Sequence, residues 1–182
     1  MRTRRTILSG AGALVLAGLG YRAWDRGVFS AGTGPAYAPW TVWQGDGANG
    51  ARRPLHAAIL AANPHDTQPW LFAAKENAIT VFADRSRNLG TMDPFRREMH
   101  LGLGCAIENI VVAARAFGLD ATVAPAGGTL SLSPGNDVMT AAQIALRPAA
   151  MRPDALYHAI PHRHTDRGAY LPDRALPAEQ LA

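Results

Sequence analysis

Lysine is almost absent from this chain: Lys75 is the only one in 182 residues, so the net charge of +4 is carried by arginine. The arginines fall in scattered pairs, Arg4-Arg5, Arg52-Arg53 and Arg96-Arg97, with no aromatic-interleaved basic stripe. That pattern argues against nucleic acid as a partner. A single cysteine, Cys105, excludes an internal disulfide framework and a cysteine-rich metal site. It lies in an apolar helical run and is expected to be buried as packing. No GxSxG elbow and no HExxH pair occurs. His158, His162 and His164 cluster at spacings of four and two, with His65 and His100 far off, which is not a ligand pattern, and no metal site is assigned. The uncharged, small and apolar run from Ile7 to Gly20 is short for a membrane span.

What is present begins with a leader-like segment at residues 1–27. Three arginines among the first five residues precede that apolar run, as in an export signal. Thr3-Arg4-Arg5-Thr6-Ile7-Leu8 resembles the twin-arginine motif, which implies the twin-arginine export machinery as a partner and a cell-envelope or periplasmic location. A general secretory leader and an uncleaved membrane anchor remain open, because Pro39 follows the small-x-small site Ala36-Tyr37-Ala38 directly. From about Tyr21 to Gly50 the chain carries no periodicity, and residues 28–50 read as a linker or surface-wrapping arm.

The globular part is expected from Ala51. Leu55, Ala58, Ile59 and Ala62 recur at helical spacing, giving a helix that ends at Asn63-Pro64. Trp70–Ala74 and Ile79–Ala83 read as paired strands around Lys75-Glu76-Asn77. Asp93 as N-cap and Pro94 at N1 open a long helix to about Phe117, stopped by Gly118. It is apolar nearly all round from Leu101 to Ala114 and is expected to be central and buried. Short strands follow at Ala121–Ala124, Thr129–Ser133 and Ala141–Leu146, with a turn at Pro134-Gly135-Asn136 and a short helix at Pro153–Ile160. This order favours an α+β fold with an antiparallel sheet over a doubly wound parallel one. The chain divides on this reading into 51–149 and 150–182. Its last residues, Leu176 to Ala182, begin a helix too short to stabilise itself, and truncation is the favoured reading.

Three features carry chemistry. The first is Asn63-Pro64-His65-Asp66-Thr67-Gln68-Pro69-Trp70, whose prolines stiffen a polar loop between two core elements. An ordinary helix-to-strand turn fits it equally well from spacing alone. The second is Gly102-Leu103-Gly104, inside a helix and therefore not a dinucleotide fingerprint. Its glycines let a backbone or a planar ligand come close, and Asn109 in the same helix needs a hydrogen-bond partner if buried. The third is Arg163-His164-Thr165-Asp166-Arg167. In extended backbone Arg163, Thr165 and Arg167 share a face suited to phosphate, although a solvated surface turn is the commoner use of such a sequence.

Together these pieces resemble the FMN-dependent nitroreductase family. The likeness rests on Ala61 to Trp70, on Ala83-Asp84 with Arg87, and on Asp93-Pro94 with Arg97-Glu98. It continues through Gly102 to Asn109, Ala113-Ala114 and Gly118. It is most similar to the long Acg-like branch, in which two nitroreductase-like halves share one chain. The resemblance implies FMN between two halves or two subunits, so a homodimer or a second half is the implied partner. It implies Arg163, Thr165 and Arg167 at the phosphate, and Pro64, His65, Asp66 and Gln68 at the ring, with Gly102, Gly104 and Asn109 on the adjoining helix. It further implies NAD(P)H as donor and nitroaromatics or quinones as acceptors. No side chain is assigned a catalytic role, since flavin N5 carries the chemistry. Asp66 departs from the family's usual Asn, and basic residues that the family supplies later in the chain are missing. A flavin-sequestering protein without turnover and a truncated inactive remnant are the alternatives.

Overall fold

The computed structural model describes residues 4–26, 28–29, 33–44, 47–127, 135, 137–165, 168–169, 171–175, 177 and 179. The chain divides into two compact units, Met1–Val42 and Trp43–Ala182.

In the first unit, helix α1 (Arg4–Asp25) runs past the point where irregular chain was expected, since Tyr21 to Asp25 hold helical backbone. Leu14, Leu16, Leu19 and Trp24 lie on its surface. Among the described residues no helix is long and apolar enough to cross a membrane. A tight 3-10 turn at Pro35–Tyr37 leads into α2 (Ala38–Thr41), each with a proline in its first positions, where a missing N–H costs nothing.

The second unit starts at Trp43, which is buried against Tyr157 with ring centroids 4.8 Å apart. The helix expected from Leu55 to Asn63-Pro64 is only a one-turn helix, α3 (Leu55–Ala58), and a 3-10 turn at Gly50–Arg52 precedes it. Pro54 separates them, because its ring nitrogen cannot donate to the preceding turn. Beyond α3 the backbone tightens, with Leu60 N–H donating to Ala57 O and Ala61 N–H to Ala58 O.

Strands β1 (Trp70–Lys75) and β2 (Ala78–Asp84) form a hairpin in register from Trp70–Ala83 to Lys75–Ala78. Side chains alternate, sending Trp70, Phe72 and Ala74 with Ile79, Val81 and Ala83 to one face. Helix α4 (Arg97–Ala116) lies on that face. Met99, Leu103, Ala106, Ile110 and Ala114 form its buried stripe against the sheet. Strands β3 (Leu119–Pro125) and β4 (Val138–Pro148) complete an antiparallel sheet in the order β1-β2-β4-β3. Register slips at Val81/Phe82, whose β4 partners are Ala142 and Thr140, leaving Ala141 as a bulge. Ile79, Ile110 and Ile144 are fully buried here; each contributes roughly 2 kcal/mol of apolar burial. The fold is α+β, an antiparallel sheet packed on one long helix.

Helix α4 begins three residues later than the Asp93-Pro94 pair suggested. Arg96 adopts left-handed backbone (φ 55°), so the helix cannot extend back to Pro94. Asp93 still serves its N-terminus from outside, its buried carboxylate accepting from Arg97 N–H at 2.8 Å and Met99 N–H at 3.1 Å. Gly118 ends the helix as expected, at φ 77°. The burial expected all round α4 holds only for its C-terminal half. Leu101, Gly104 and Cys105 are exposed on the N-terminal half, and Glu108 continues that face just beyond its middle. Cys105 is thus a surface thiol rather than core packing, because nothing in the described chain covers that side of the helix. Helix α5 (Ala155–Ala159) is capped by Asp154, which accepts from Tyr157 N–H, and Tyr157 meets Phe117 edge-on. The strand expected at 129–133 and its following turn, apart from Gly135, lie outside the described residues, as does most of the terminal segment 176–182.

Candidate functional site

The segment joining α3 to β1 has a backbone that no helix-to-strand connection requires. Asn63 is extended and Pro64 opens a 3-10 turn. His65 (φ 46°), Asp66 (φ 56°) and Gln68 (φ 47°) then all occupy left-handed space. That region disfavours any residue with a Cβ, at roughly 1 kcal/mol each. Several such residues together mark backbone held for a purpose. Here the chain turns back on itself, sending His65, Asp66 and Gln68 outward while Pro69 and Trp70 are buried below them.

Hydrogen bonds close the turn from within. Thr67 donates to Pro64 O through its N–H at 3.0 Å and its hydroxyl at 2.9 Å. Gln68 N–H donates to Asn63 Oδ1 at 2.8 Å, and the Gln68 amide donates to Asp66 Oδ1 at 3.3 Å. From outside, Arg87 Nη1 reaches the carbonyls of Thr67 and Gln68, each at 3.4 Å, while its Nε lies 3.2 Å from Asp84 Oδ2. Asp84 in turn accepts from the hydroxyl and N–H of Ser86 at 2.5 and 3.1 Å. The Ser86 hydroxyl leads in pulling the Asp84 pKa below its usual value; the Ser86 N–H and Arg87 add to it, against an opposing effect of burial.

The turn rests directly on α4. A Cβ placed on Gly102 would stand 3.3 Å from Asn63 Cβ and 3.4 Å from both Asn63 Cα and Pro64 Cδ. Glycine at 102 therefore serves the approach of the turn itself. Gly104 faces open space. Between turn and helix lies an open cleft of about 280 Å³. Ala62, Pro64, Leu101 and Gly102 supply apolar surface, and Asn63, His65, Glu98, Cys105 and Thr165 supply polar groups. A flat ring with a polar edge suits such a wall.

Of the residues expected at a site, Pro64, His65, Gly102 and Thr165 meet in this cleft. Asp66 and Gln68 are exposed on the same turn. Arg163 anchors beside it, with Nη2 donating to Leu60 O at 3.1 Å and Nη1 to Thr165 Oγ1 at 3.4 Å. Its buried Nε has no hydrogen-bond partner among the described residues. Asn109 stands apart from the cleft lining, its amide donating 2.9 Å to Ala57 O and tying α4 to α3. Arg167 lies outside the described residues. Sequence reasoning passed over Asn63 and Arg87 as supports of the turn, and Leu101, Glu98 and Cys105 as lining. The exposed α4 face follows from Glu98 and Glu108 flanking Leu101 and Cys105 at helical spacing, a signal the surrounding apolar residues masked. A second arginine pair sits at the far end of β2. Arg85 is buried, and Arg96 donates to Gly135 O at 2.7 Å, its pKa lowered by burial and then by the charge of Arg85.

No family model matches the chain. Over 123 residues, 65% of this chain and 33% of the relative, the sequence is 33% identical to a candidate NAD(P)H nitroreductase of Mycobacterium tuberculosis, Rv3131. In sequence the chain is nitroreductase-like. A second candidate NAD(P)H nitroreductase of that organism, acg, is 33% identical over 69 residues, 38% of this chain and 21% of the relative. The chain thus spans a third or less of the length of these curated relatives. Among solved structures, a candidate nitroreductase of Desulfovibrio desulfuricans in complex with FMN superposes over 69% of this chain and 84% of its own, at 19% identity and a TM-score of 0.43.

Proposed function

We propose that the chain is an FMN-binding, nitroreductase-like oxidoreductase whose flavin ring lies in the cleft between the 63–69 turn and α4. The observation that carries this reading is the turn itself: three left-handed, non-glycine residues held over an open, largely apolar wall. The sequence likeness to candidate NAD(P)H nitroreductases of the Acg-like kind supports it.

The residues present fit such a group. Pro64, Leu101 and Gly102 offer a flat apolar wall, while His65, Asp66 and Gln68 offer a polar edge. Arg163, bonded to Thr165 and close in sequence to Arg167, is the cation the chain would offer a phosphate. Bound flavin would supply the redox chemistry, accepting hydride from NAD(P)H and passing electrons to nitroaromatic or quinone-like acceptors. The chain's own share is to orient the ring and set its electrostatics. Asp66 can accept a hydrogen bond at the ring edge but cannot donate one, and its charge opposes added negative charge on the ring. One open wall calls for a second, from another copy or from a second half like that of the longer relatives. Residues 1–27 would deliver the protein to the cell envelope through the twin-arginine route.

Purified chain lacking residues 1–30 should retain yellow flavin, bleach with NADPH and recover with a nitroaromatic. Flavin retained without bleaching would favour sequestration; colourless protein that takes up no added FMN would end the proposal. Asp66→Asn should raise the flavin midpoint potential, about 30 mV corresponding to a tenfold preference for the two-electron reduced form. Export is tested separately by fusing residues 1–27 to a reporter and replacing Arg4 and Arg5 with lysine, which should retain the reporter in the cytoplasm.

A further inference from the structure

We infer that Asn63 and Arg87 are positioning residues that lock the 64–68 turn from opposite sides, so that its outward side chains are fixed before any ligand arrives. The turn holds left-handed residues that local sequence preference opposes, so something outside the three residues must keep them there. Three bonds from two residues brace the turn, at Thr67 and Gln68. Asn63 Oδ1 accepts from Gln68 N–H at 2.8 Å, spanning the whole turn. Arg87 bridges the Thr67 and Gln68 carbonyls at the far side and is held by Asp84. Asn63 is itself seated, because Gly102 leaves room for its Cα and Cβ against α4 and for no more. All of these bonds are exposed, but the Asn63 bond is 2.8 Å long and the Arg87 bonds are each 3.4 Å. Asn63 therefore carries the larger share.

The consequence for binding is preorganisation: a ligand meeting the locked edge does not have to order it. The ligand part of this inference rests on the flavin reading, while the lock is a property of the free protein. The test uses the full chain in two measurements. Amide hydrogen exchange without flavin should show Thr67 and Gln68 protected, with protection lost in Asn63→Ala, kept in Asn63→Asp, and reduced in Arg87→Gln. Fluorescence titration with FMN should then show affinity falling about tenfold in Asn63→Ala and about threefold in Arg87→Gln, losses in the range of single hydrogen bonds. Arg87→Lys should restore only part, since an ammonium cannot hold two carbonyls and Asp84 in one plane. Arg152→Ala, which removes a surface ion pair with Asp120, should leave both measurements unchanged. Exchange at Thr67 and Gln68 as fast in the parent chain as in Asn63→Ala would overturn the lock, as would full protection in both variants. If Asn63→Ala does not fold, Asn63→Asp and the Arg87 variants still decide it. Absence of FMN binding by the parent chain would remove the flavin reading and leave the exchange result standing.

Discussion

Gly90 and Gly118 occupy the same left-handed backbone as His65, Asp66 and Gln68, and the two groups use it differently. At Gly90 (φ 57°) and Gly118 (φ 77°) the chain needs only a change of direction, and glycine provides it without steric cost. In the 64–68 turn the chain keeps larger side chains at φ 46–56° and spends hydrogen bonds from Asn63, Thr67 and Arg87 to hold them. Where backbone alone matters, the cheap residue is present. Where it is absent, the side chains matter more than the strain.

Gly118→Ala should give the largest effect. Its Cβ would lie 3.2 Å from both Ala149 O and Met151 Cγ, in addition to the left-handed penalty. A loss of about 2 kcal/mol in denaturant unfolding is expected; an unchanged midpoint would mean that the α4–β3 corner relaxes freely. Gly90→Ala meets open space, so only the backbone term remains, about 1 kcal/mol by the same measurement. His65→Gly and Asp66→Gly break the comparison from the other side. Relief of strain and the added freedom of the unfolded chain offset, leaving stability within about 0.5 kcal/mol, while FMN titration should show clearly weaker binding. Affinity equal to the parent's in both would make the turn a plain connection. The smallest effect concerns pH. Asp84's pKa is depressed, so its contribution is complete above the ordinary carboxylate range and fades as pH falls through the depressed value, below about pH 4. Acid unfolding of Asp84→Asn should therefore be shallower than that of the parent chain in that window.

The elements with a regular apolar period were legible in advance. Alternation along Trp70–Ala74 and Ile79–Ala83 set the hairpin, and Gly118 announced the end of α4. The first helix was overextended because its apolar period runs on to Ala62, whereas the backbone tightens after Ala58 into bonds spanning three residues. Cys105 was misplaced because an apolar neighbourhood in sequence does not say which helix face lacks a covering element. The turn was visible as a polar loop between prolines, yet its three left-handed residues were not, since the contacts that brace it at Thr67 and Gln68 and seat it on α4 come from beyond the loop. Arg87 lies 20 residues from Thr67, and Gly102 is far along α4; no local signal joins them.

The fit of Asn63 and Pro64 against Gly102 has a practical consequence for anyone moving this loop into another scaffold. The eight residues from Asn63 to Trp70 would not carry their shape with them. A transplant needs a glycine on a facing helix at the height of residue 102 and an arginine standing where Arg87 does, so the portable unit is three separated pieces of chain rather than one.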